Sequence, residues 1–217
     1  MYAWSDIFLL ALVLSNFLLL GSSRLAVYIR VAAAQGVALG LLPMLTNLHD
    51  EAGRTATLLG LGLVTIGVKG VLFPILLVRA QRAANVNREI EPRVGYAASV
   101  LVGLAALVLS QRVGARLPLP TSSFSGMAAP VAFFTFFVGL FLIISRRKAL
   151  TQVLGYLVLE NGIYVLGVAL VAHVALLVEL GVLLDVFVAV FVMQIAIHQI
   201  TAEFRSTDVD RLTALKG

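Results

Sequence analysis

The sequence contains no cysteine and only three histidines. Without a thiol, these 217 residues can form no disulfide, thiolate zinc site, Fe–S cluster or catalytic cysteine. No two of the histidines, His49, His173 and His198, have the i, i+4 spacing of a helical metal site, so no metal ligand set is predicted. Phosphate-binding glycine loops and nucleophile motifs are also missing. The sequence therefore gives no support to the soluble enzyme classes, and any redox cofactor is expected on another chain.

Charged residues are scarce, at 12% of the chain, whereas about a quarter is usual in soluble proteins. The mean hydropathy of +1.02 indicates an integral membrane protein. Seven apolar segments are long enough to span a bilayer, which takes roughly 20 residues per helix. They are helical by prediction, because lipid leaves unpaired backbone groups unsatisfied and the segments lack barrel-type alternation. The predicted fold is an all-α, seven-helix membrane protein with segments at 6–22, 31–48, 56–78, 94–111, 127–145, 149–172 and 176–199.

The net charge of +5 arises from basic residues placed between the apolar segments. Twelve of the 16 basic residues fall on one side of the predicted membrane and three on the other, with Lys69 inside a segment. The positive-inside rule then places the N-terminus outside and the C-terminus in the cytoplasm. The high isoelectric point thus reflects membrane topology, and no nucleic-acid partner is predicted. The twelve are Arg24, Arg30, Arg79, Arg82, Arg88, Arg93, Arg146, Arg147, Lys148, Arg205, Arg211 and Lys216.

The organisation along the chain follows from the longest outer linker. Residues 112–126 contain two prolines and a Thr-Ser-Ser run and are predicted to form an outer loop. This loop separates a four-helix part, 1–111, from a three-helix part, 127–199. Residues 200–217 are polar and are predicted to form a cytoplasmic tail.

Three ionisable residues lie deep within the apolar segments: Glu160, Asp185 and Lys69. Each costs roughly 2.5–3.5 kcal/mol at the centre of a spanning helix, so such residues generally face the bundle interior and mark a functional site. Tyr156 and Tyr164 lie one turn either side of Glu160 and are candidate hydrogen-bond partners. Two further residues are candidate members of a polar path, Glu179 near an outer helix end and Gln194.

The buried acids suggest a proton relay. Burial disfavours the charged form of a carboxylic acid, which brings proton exchange towards neutral pH. The alternative is that an acid only forms an interhelical ion pair with a basic residue. Lys69 has the same two interpretations, as a relay member or as the counter-charge to one acid. Pro74 removes the helical donor for the Gly70 carbonyl and predicts a bend beside Lys69.

A seven-helix chain with a buried lysine also raises the possibility of a retinal protein. The lysine is in the third segment, however, and the last segment carries Asp185 instead. The single tryptophan also leaves too little aromatic surface for a chromophore pocket. This interpretation is disfavoured.

The last 92 residues resemble the K subunit of respiratory complex I and the C subunit of multisubunit cation/proton antiporters. The resemblance rests on a basic turn, SRRKAL at 145–150, and on two acid-bearing helices, GYLVLENG at 155–162 and LDVFVA at 184–189. Glu160 comes one turn later than the usual first acid of that family, whose position is occupied here by Leu157, and the second acid is Asp rather than Glu. With four more helices in front, the whole chain resembles the hydrogenase-4 component E family.

This resemblance implies a non-redox membrane subunit of a complex I-like, hydrogenase-type assembly. In it, Glu160 and Asp185 would belong to a buried proton path; Lys69 has no counterpart in the three-helix family. A [NiFe] centre and Fe–S clusters are expected on partner subunits, next to antiporter-like and quinone-site-type membrane subunits. The expected location is a bacterial or archaeal inner membrane. A subunit of a Na⁺/H⁺ antiporter and a structural assembly scaffold remain the alternatives.

Overall fold

The computed structural model describes residues 3–46, 59–60, 62–83, 92–116 and 126–170. All regular elements within these ranges are helical. They are α1 (Ala3–Gly21), α2 (Leu25–Thr46), a π-helical segment (Ile66–Leu72), α3 (Phe73–Ala83), α4 (Tyr96–Gly114), α5 (Ala128–Ser145) and α6 (Ala149–Leu170). The seventh predicted span, 176–199, lies outside the described residues.

Five stretches of the described chain are long and apolar enough to cross a membrane: Leu25–Leu42, Gly62–Arg82, Tyr96–Gly114, Ala128–Ser145 and Ala149–Gly167. A shorter apolar helix, Ser5–Gly21, precedes them. Large apolar side chains point outwards, with Leu63, Leu14 and Leu101 more than 60% exposed. A surface of this kind is stable only in contact with lipid or with other apolar chains. The protein is therefore a membrane protein.

Successive helices run in opposite directions, and several of their ends meet at one end of the bundle. There the backbone N–H of Arg93, just before α4, donates to the carbonyl of Ser145 at the end of α5, at 2.9 Å. The Arg146 side chain, between α5 and α6, reaches the Leu20 carbonyl at the end of α1. We call this the basic end, because Arg24, Arg93, Arg146, Arg147 and Lys148 lie at these helix termini.

The core lies between α1, α2, α3, α5 and α6. Its centre includes the rings of Phe17 and Phe134, whose centroids are 5.2 Å apart. Helices α5 and α6 form a close hairpin in which Gly139 leaves no room for a side chain against the backbone of Leu159. Small residues at such crossings allow helix backbones to approach in a membrane. This approach positions the residue that follows Leu159, which is Glu160.

Helix α4 shows how the same rule orients a peripheral helix. Its buried positions are Ser99, Gly103, Ser110 and Gly114, all of them small. The large residues on the same helix, including Leu101 and Val108, face outwards and are 67% and 59% exposed. The helix continues to Gly114, into the beginning of the stretch that was predicted as an outer loop.

Three arginines that were predicted in loops, Arg30, Arg79 and Arg82, lie within helices. Helix α2 begins at Leu25, six residues before the predicted segment, and therefore includes Arg30, which is exposed. Helix α3 continues to Ala83 and includes Arg79 and Arg82. Long basic side chains tolerate such positions because their aliphatic stems cover apolar surface while their charged groups reach the interface.

Candidate functional site

The centre of the bundle contains a buried ion pair between Lys69 and Glu160. The ammonium Nζ of Lys69 lies 2.7 Å from Oε1 of Glu160, and the two side chains are 8% and 4% exposed. Lys69 belongs to the π-helical segment and Glu160 to α6, so the pair joins elements that are 91 residues apart in sequence. The two predicted charges inside the described spans therefore meet each other.

The π-helical segment is what brings Lys69 against α2. Pro74 lies just after this segment, where π-helical geometry changes to α-helical geometry at Phe73. The bend expected from that proline stays a prediction. A Cβ atom on Gly36 would lie 2.6 Å from the Lys69 Cβ, and one on Gly40 would lie 2.8 Å from the Gly62 carbonyl oxygen. Glycine is thus required at both positions of α2 for this approach. π-Helical turns are rare and often occur at functional sites.

A chain of buried amide side chains connects the ion pair to three other helices. Lys69 Nζ donates to Asn161 Oδ1 over a long 3.5 Å, and Asn161 Nδ2 donates to Gln35 Oε1 at 3.1 Å. Gln35 Nε2 then donates to Asn16 Oδ1 at 3.0 Å, and Asn16 Nδ2 donates to Thr135 Oγ1 at 2.9 Å. We call Asn161, Gln35 and Asn16 the amide chain. It crosses α6, α2 and α1 and ends on α5.

One carboxyl oxygen of the pair remains open for further chemistry. Oε2 of Glu160 is buried and has no hydrogen-bond partner among the described residues. Because a carboxylate can accept several hydrogen bonds, this oxygen is where a water molecule or another polar group would bind. The Tyr164 ring lies on the other side of the ammonium, with its centroid 5.7 Å from Lys69 Nζ, within the range of a cation–π contact.

A small cavity borders Lys69. Its free volume is about 10 Å³, close to what one water molecule needs. The cavity is lined by Lys69 and Asn161 together with apolar side chains from α2, α3 and α6, namely Ala32, Phe73, Pro74, Leu77 and Leu157. Leu77 and Leu157 lie on the side of Lys69 and Glu160 that faces the basic end, so the cavity extends from the ion pair in that direction.

The structure brings some of the predicted site residues together. Lys69, Glu160 and Tyr164 form one cluster, while Tyr156 is half-buried one turn before Glu160. Asp185, Glu179 and Gln194 lie outside the described residues. Gln35 makes interhelical hydrogen bonds to Asn16 and Ser15.

The sequence analysis missed the roles of Asn16, Thr135 and Asn161. All three are at most 3% exposed. Their signal was present, since each is a polar residue near the middle of an apolar segment. It was overlooked because uncharged amides and hydroxyls are common in spanning helices and stood out less than the charges.

Arg146 is a second buried cation, at the basic end. Its side chain is fully buried, donates from Nη2 to the Leu20 carbonyl at 3.1 Å and stacks on Tyr96, with Cζ 4.8 Å from the ring centroid. The carbonyls at a helix C-terminus carry partial negative charge and lack helical donors. Arg146 therefore caps α1, whereas the sequence predicted it only as a topological charge in a basic turn.

No group of three or more His, Cys, Asp or Glu side chains that could hold a metal occurs within the described ranges. Among the residues that the structure describes, the polar centre of the bundle consists of one cation, one carboxylate and neutral hydrogen-bonding side chains. Such a set can hold a proton on either partner of the ion pair, or a water molecule beside it.

Similar proteins identify the family. Hydrogenase-4 component E of Escherichia coli K12 is 33% identical over 151 residues, which are 69% of each chain. The chain belongs to the hydrogenase-4 component E family. An uncharacterized protein of Mycobacterium tuberculosis is also 33% identical, over 94% of this chain and 92% of its own length. No family model matches the sequence, and no solved structure matches it either. The resemblance noted in the sequence is thereby confirmed.

Proposed function

We propose that this component E homologue is a non-redox membrane subunit of a hydrogenase-type, complex I-like assembly, and that it contributes buried groups to a proton path. The family relationship supports the type of assembly. The absence of cysteine supports electron transfer on partner chains, which would hold the [NiFe] centre and the Fe–S clusters. Antiporter-like and quinone-site-type subunits would be its neighbours in an inner membrane.

The observation that carries the proposal is the Lys69–Glu160 pair. An ion pair at this depth is expensive, and intramembrane ionisable residues usually serve a transport path. Oε2 of Glu160, which has no hydrogen-bond partner among the described residues, gives a proton or a water a place to bind, and the cavity beside Lys69 provides room for one water molecule. Asp185, one helix further along the chain by prediction, would continue the path.

The proposed topology has seven spans, with the N-terminus outside and the C-terminus in the cytoplasm. The basic end supports it, since Arg24, Arg93 and Arg147 are exposed at helix termini that meet there. By the positive-inside rule this end would face the cytoplasm. The cavity beside Lys69 would then open the path towards the cytoplasmic side.

A neutral substitution of each acid tests the proposal. Glu160→Gln keeps an amide oxygen that can accept from Lys69 Nζ, so it should leave the complex assembled, as should Asp185→Asn. Both should lower coupled turnover at least about tenfold, because proton-transfer groups typically contribute 10²–10⁴-fold. Glu203→Gln makes the same chemical change in the predicted tail and should behave like the wild type. Wild-type coupled turnover in both span variants would reject the proposed path.

A structural role is the second candidate, because the ion pair is itself an interhelical contact. Buried pairs can often be replaced by neutral groups without loss of stability. If the pair is only a brace, the double variant Lys69→Met/Glu160→Gln should assemble and also keep full coupled activity. If the pair exchanges protons, the double variant should assemble but remain uncoupled.

A further inference from the structure

The hydrogen bonds of the amide chain all point in one direction. An ammonium group can only donate hydrogen bonds, so Lys69 fixes Asn161 with its oxygen towards Nζ. Asn161 must then donate to Gln35, and Gln35 must donate to Asn16, at 3.1 and 3.0 Å. The donor sense therefore runs away from the cation at every link.

The amide chain splits into two branches, and the hydrogen bonds of each branch end at a backbone carbonyl. On one branch, Thr135 accepts from Asn16 and donates to the Val131 carbonyl at 2.8 Å. On the other, Ser15 accepts from Gln35 at 2.8 Å and donates to the Leu12 carbonyl at 2.7 Å. Since a carbonyl cannot donate, neither branch can reverse its direction without losing hydrogen bonds.

Gln35 is the branch point on which this arrangement depends. It is 2% exposed, accepts from Asn161, and donates to both branches through Nε2. Leaving a polar atom unpaired at this depth is costly, so several buried contacts together fix the direction of the hydrogen bonds. Asn161 Oδ1 is the acceptor of the amide chain that faces the ammonium.

The fixed direction of these hydrogen bonds influences whether the proton of the ion pair is held by Lys69 or by Glu160. Transfer of a proton from Lys69 to Glu160 would make both groups neutral and replace a charge-assisted hydrogen bond to Asn161 by a neutral one, which is about half as strong. We infer that Gln35 is a positioning residue that acts through Asn161 to keep the resting pair ionic, with a proton on Lys69 and none on Glu160. Amide side chains neither gain nor lose a charge near neutral pH, so the amide chain orients the pair without serving as a proton acceptor itself. A role for this ionic resting state in proton transfer rests on the proposed function.

Infrared spectroscopy of the purified full-length protein in its complex reads the state of Glu160 directly. The wild type should show no protonated carboxylic acid at Glu160, as judged by subtracting the spectrum of Glu160→Gln. Gln35→Leu breaks both branches and should raise the ratio of neutral to ionic pair about tenfold, the equivalent of about 1.4 kcal/mol. The new carboxylic acid band should disappear in Gln35→Leu/Glu160→Gln.

Thr135→Val removes only the terminal hydroxyl of one branch at nearly constant volume. It should produce the same band at lower intensity, and Thr135→Ser, which keeps the hydroxyl, should restore the wild-type spectrum. Gln152→Leu is the matched control, since Gln152 lies on α6 but donates to the Arg146 carbonyl, away from the chain. If Gln35→Leu fails to assemble, Thr135→Val decides the question.

An unchanged carboxyl spectrum in assembled Gln35→Leu, or in Thr135→Val if only that variant assembles, would overturn the inference. So would a protonated Glu160 in the wild type. These spectra need no turnover, so they are independent of the proposed function. If the spectra are as expected but Glu160→Gln keeps full coupling, the positioning role of Gln35 is supported and only the proposed proton path is rejected.

Discussion

Gly36 of α2 lies directly against the backbone of Lys69: a Cβ on Gly36 would stand 2.7 Å from the Lys69 carbonyl carbon. This contact holds the π-helical segment close to α2 and Lys69 within reach of Glu160. The position of the Lys69 side chain thus depends on the absence of a Cβ atom at position 36.

Gly36→Ala should therefore displace the π-helical segment and weaken the Lys69–Glu160 contact. Overpacking of this kind costs about 1–3 kcal/mol, which should appear as a lower melting temperature of the purified protein. Gly67→Ala is the control, because nothing lies within 4 Å of the Cβ it would add. Equal melting temperatures for the two variants would refute the close-approach explanation.

Removing one member of the ion pair should be more damaging than removing both charges. Lys69→Met leaves the Glu160 carboxylate buried without its cation, and breaking a buried pair in this way costs about 3–5 kcal/mol. The double variant Lys69→Met/Glu160→Gln should recover most of this loss. Denaturation of the wild type, Lys69→Met, Glu160→Gln and the double variant in detergent measures the difference, and additive losses would show that the two residues are not coupled.

The cavity beside Lys69 predicts that Ala32 on α2 does not tolerate a larger side chain. Ala32→Val fills the space that one water molecule needs and should lower coupled turnover severalfold, while assembly stays normal. Ala98→Val adds the same group to an exposed position on α4 and should have no effect. Turnover by Ala32→Val at the control level would show that no step depends on the cavity.

Arg146 should be required for stability through its geometry as well as its charge. Arg146→Gln loses the hydrogen bond to Leu20 and the contact with the Tyr96 ring, and should destabilise the protein by about 2 kcal/mol. Arg146→Lys should not restore stability, because lysine lacks the planar group that both contacts use. Arg147→Gln, at an exposed neighbouring position, serves as the control in the same thermal unfolding assay. Full rescue by lysine would reduce the role of Arg146 to its charge.

The sequence was sufficient for the helical class and for the burial of Lys69 and Glu160 inside the bundle. Apolar length alone identifies spanning helices, and the cost of buried charge singles out these two residues. Helix ends were less predictable: α2 starts six residues before its predicted segment, because an arginine near a helix end can extend to the interface.

The sequence does not show which acid pairs with Lys69. The depth of an acid along a helix does not determine which neighbouring helix its side chain faces. That choice is made by Gly36 on α2 and by Gly139 on α5, through close approaches that involve long-range packing. The amide chain was missed for the same reason, because its hydrogen bonds link residues 19 to 126 positions apart. Arg146 appeared to be a turn residue because its partners on α1 and α4 are distant in sequence.

Proton translocation in sealed membrane vesicles containing the assembled complex tests the central claim most directly. The measurement is the number of protons moved per electron pair, in the wild type and in Lys69→Met/Glu160→Gln. We predict that the double variant assembles and transfers electrons, with the number of protons moved clearly reduced. An unchanged number of protons per electron pair in the double variant would contradict a proton path through this ion pair.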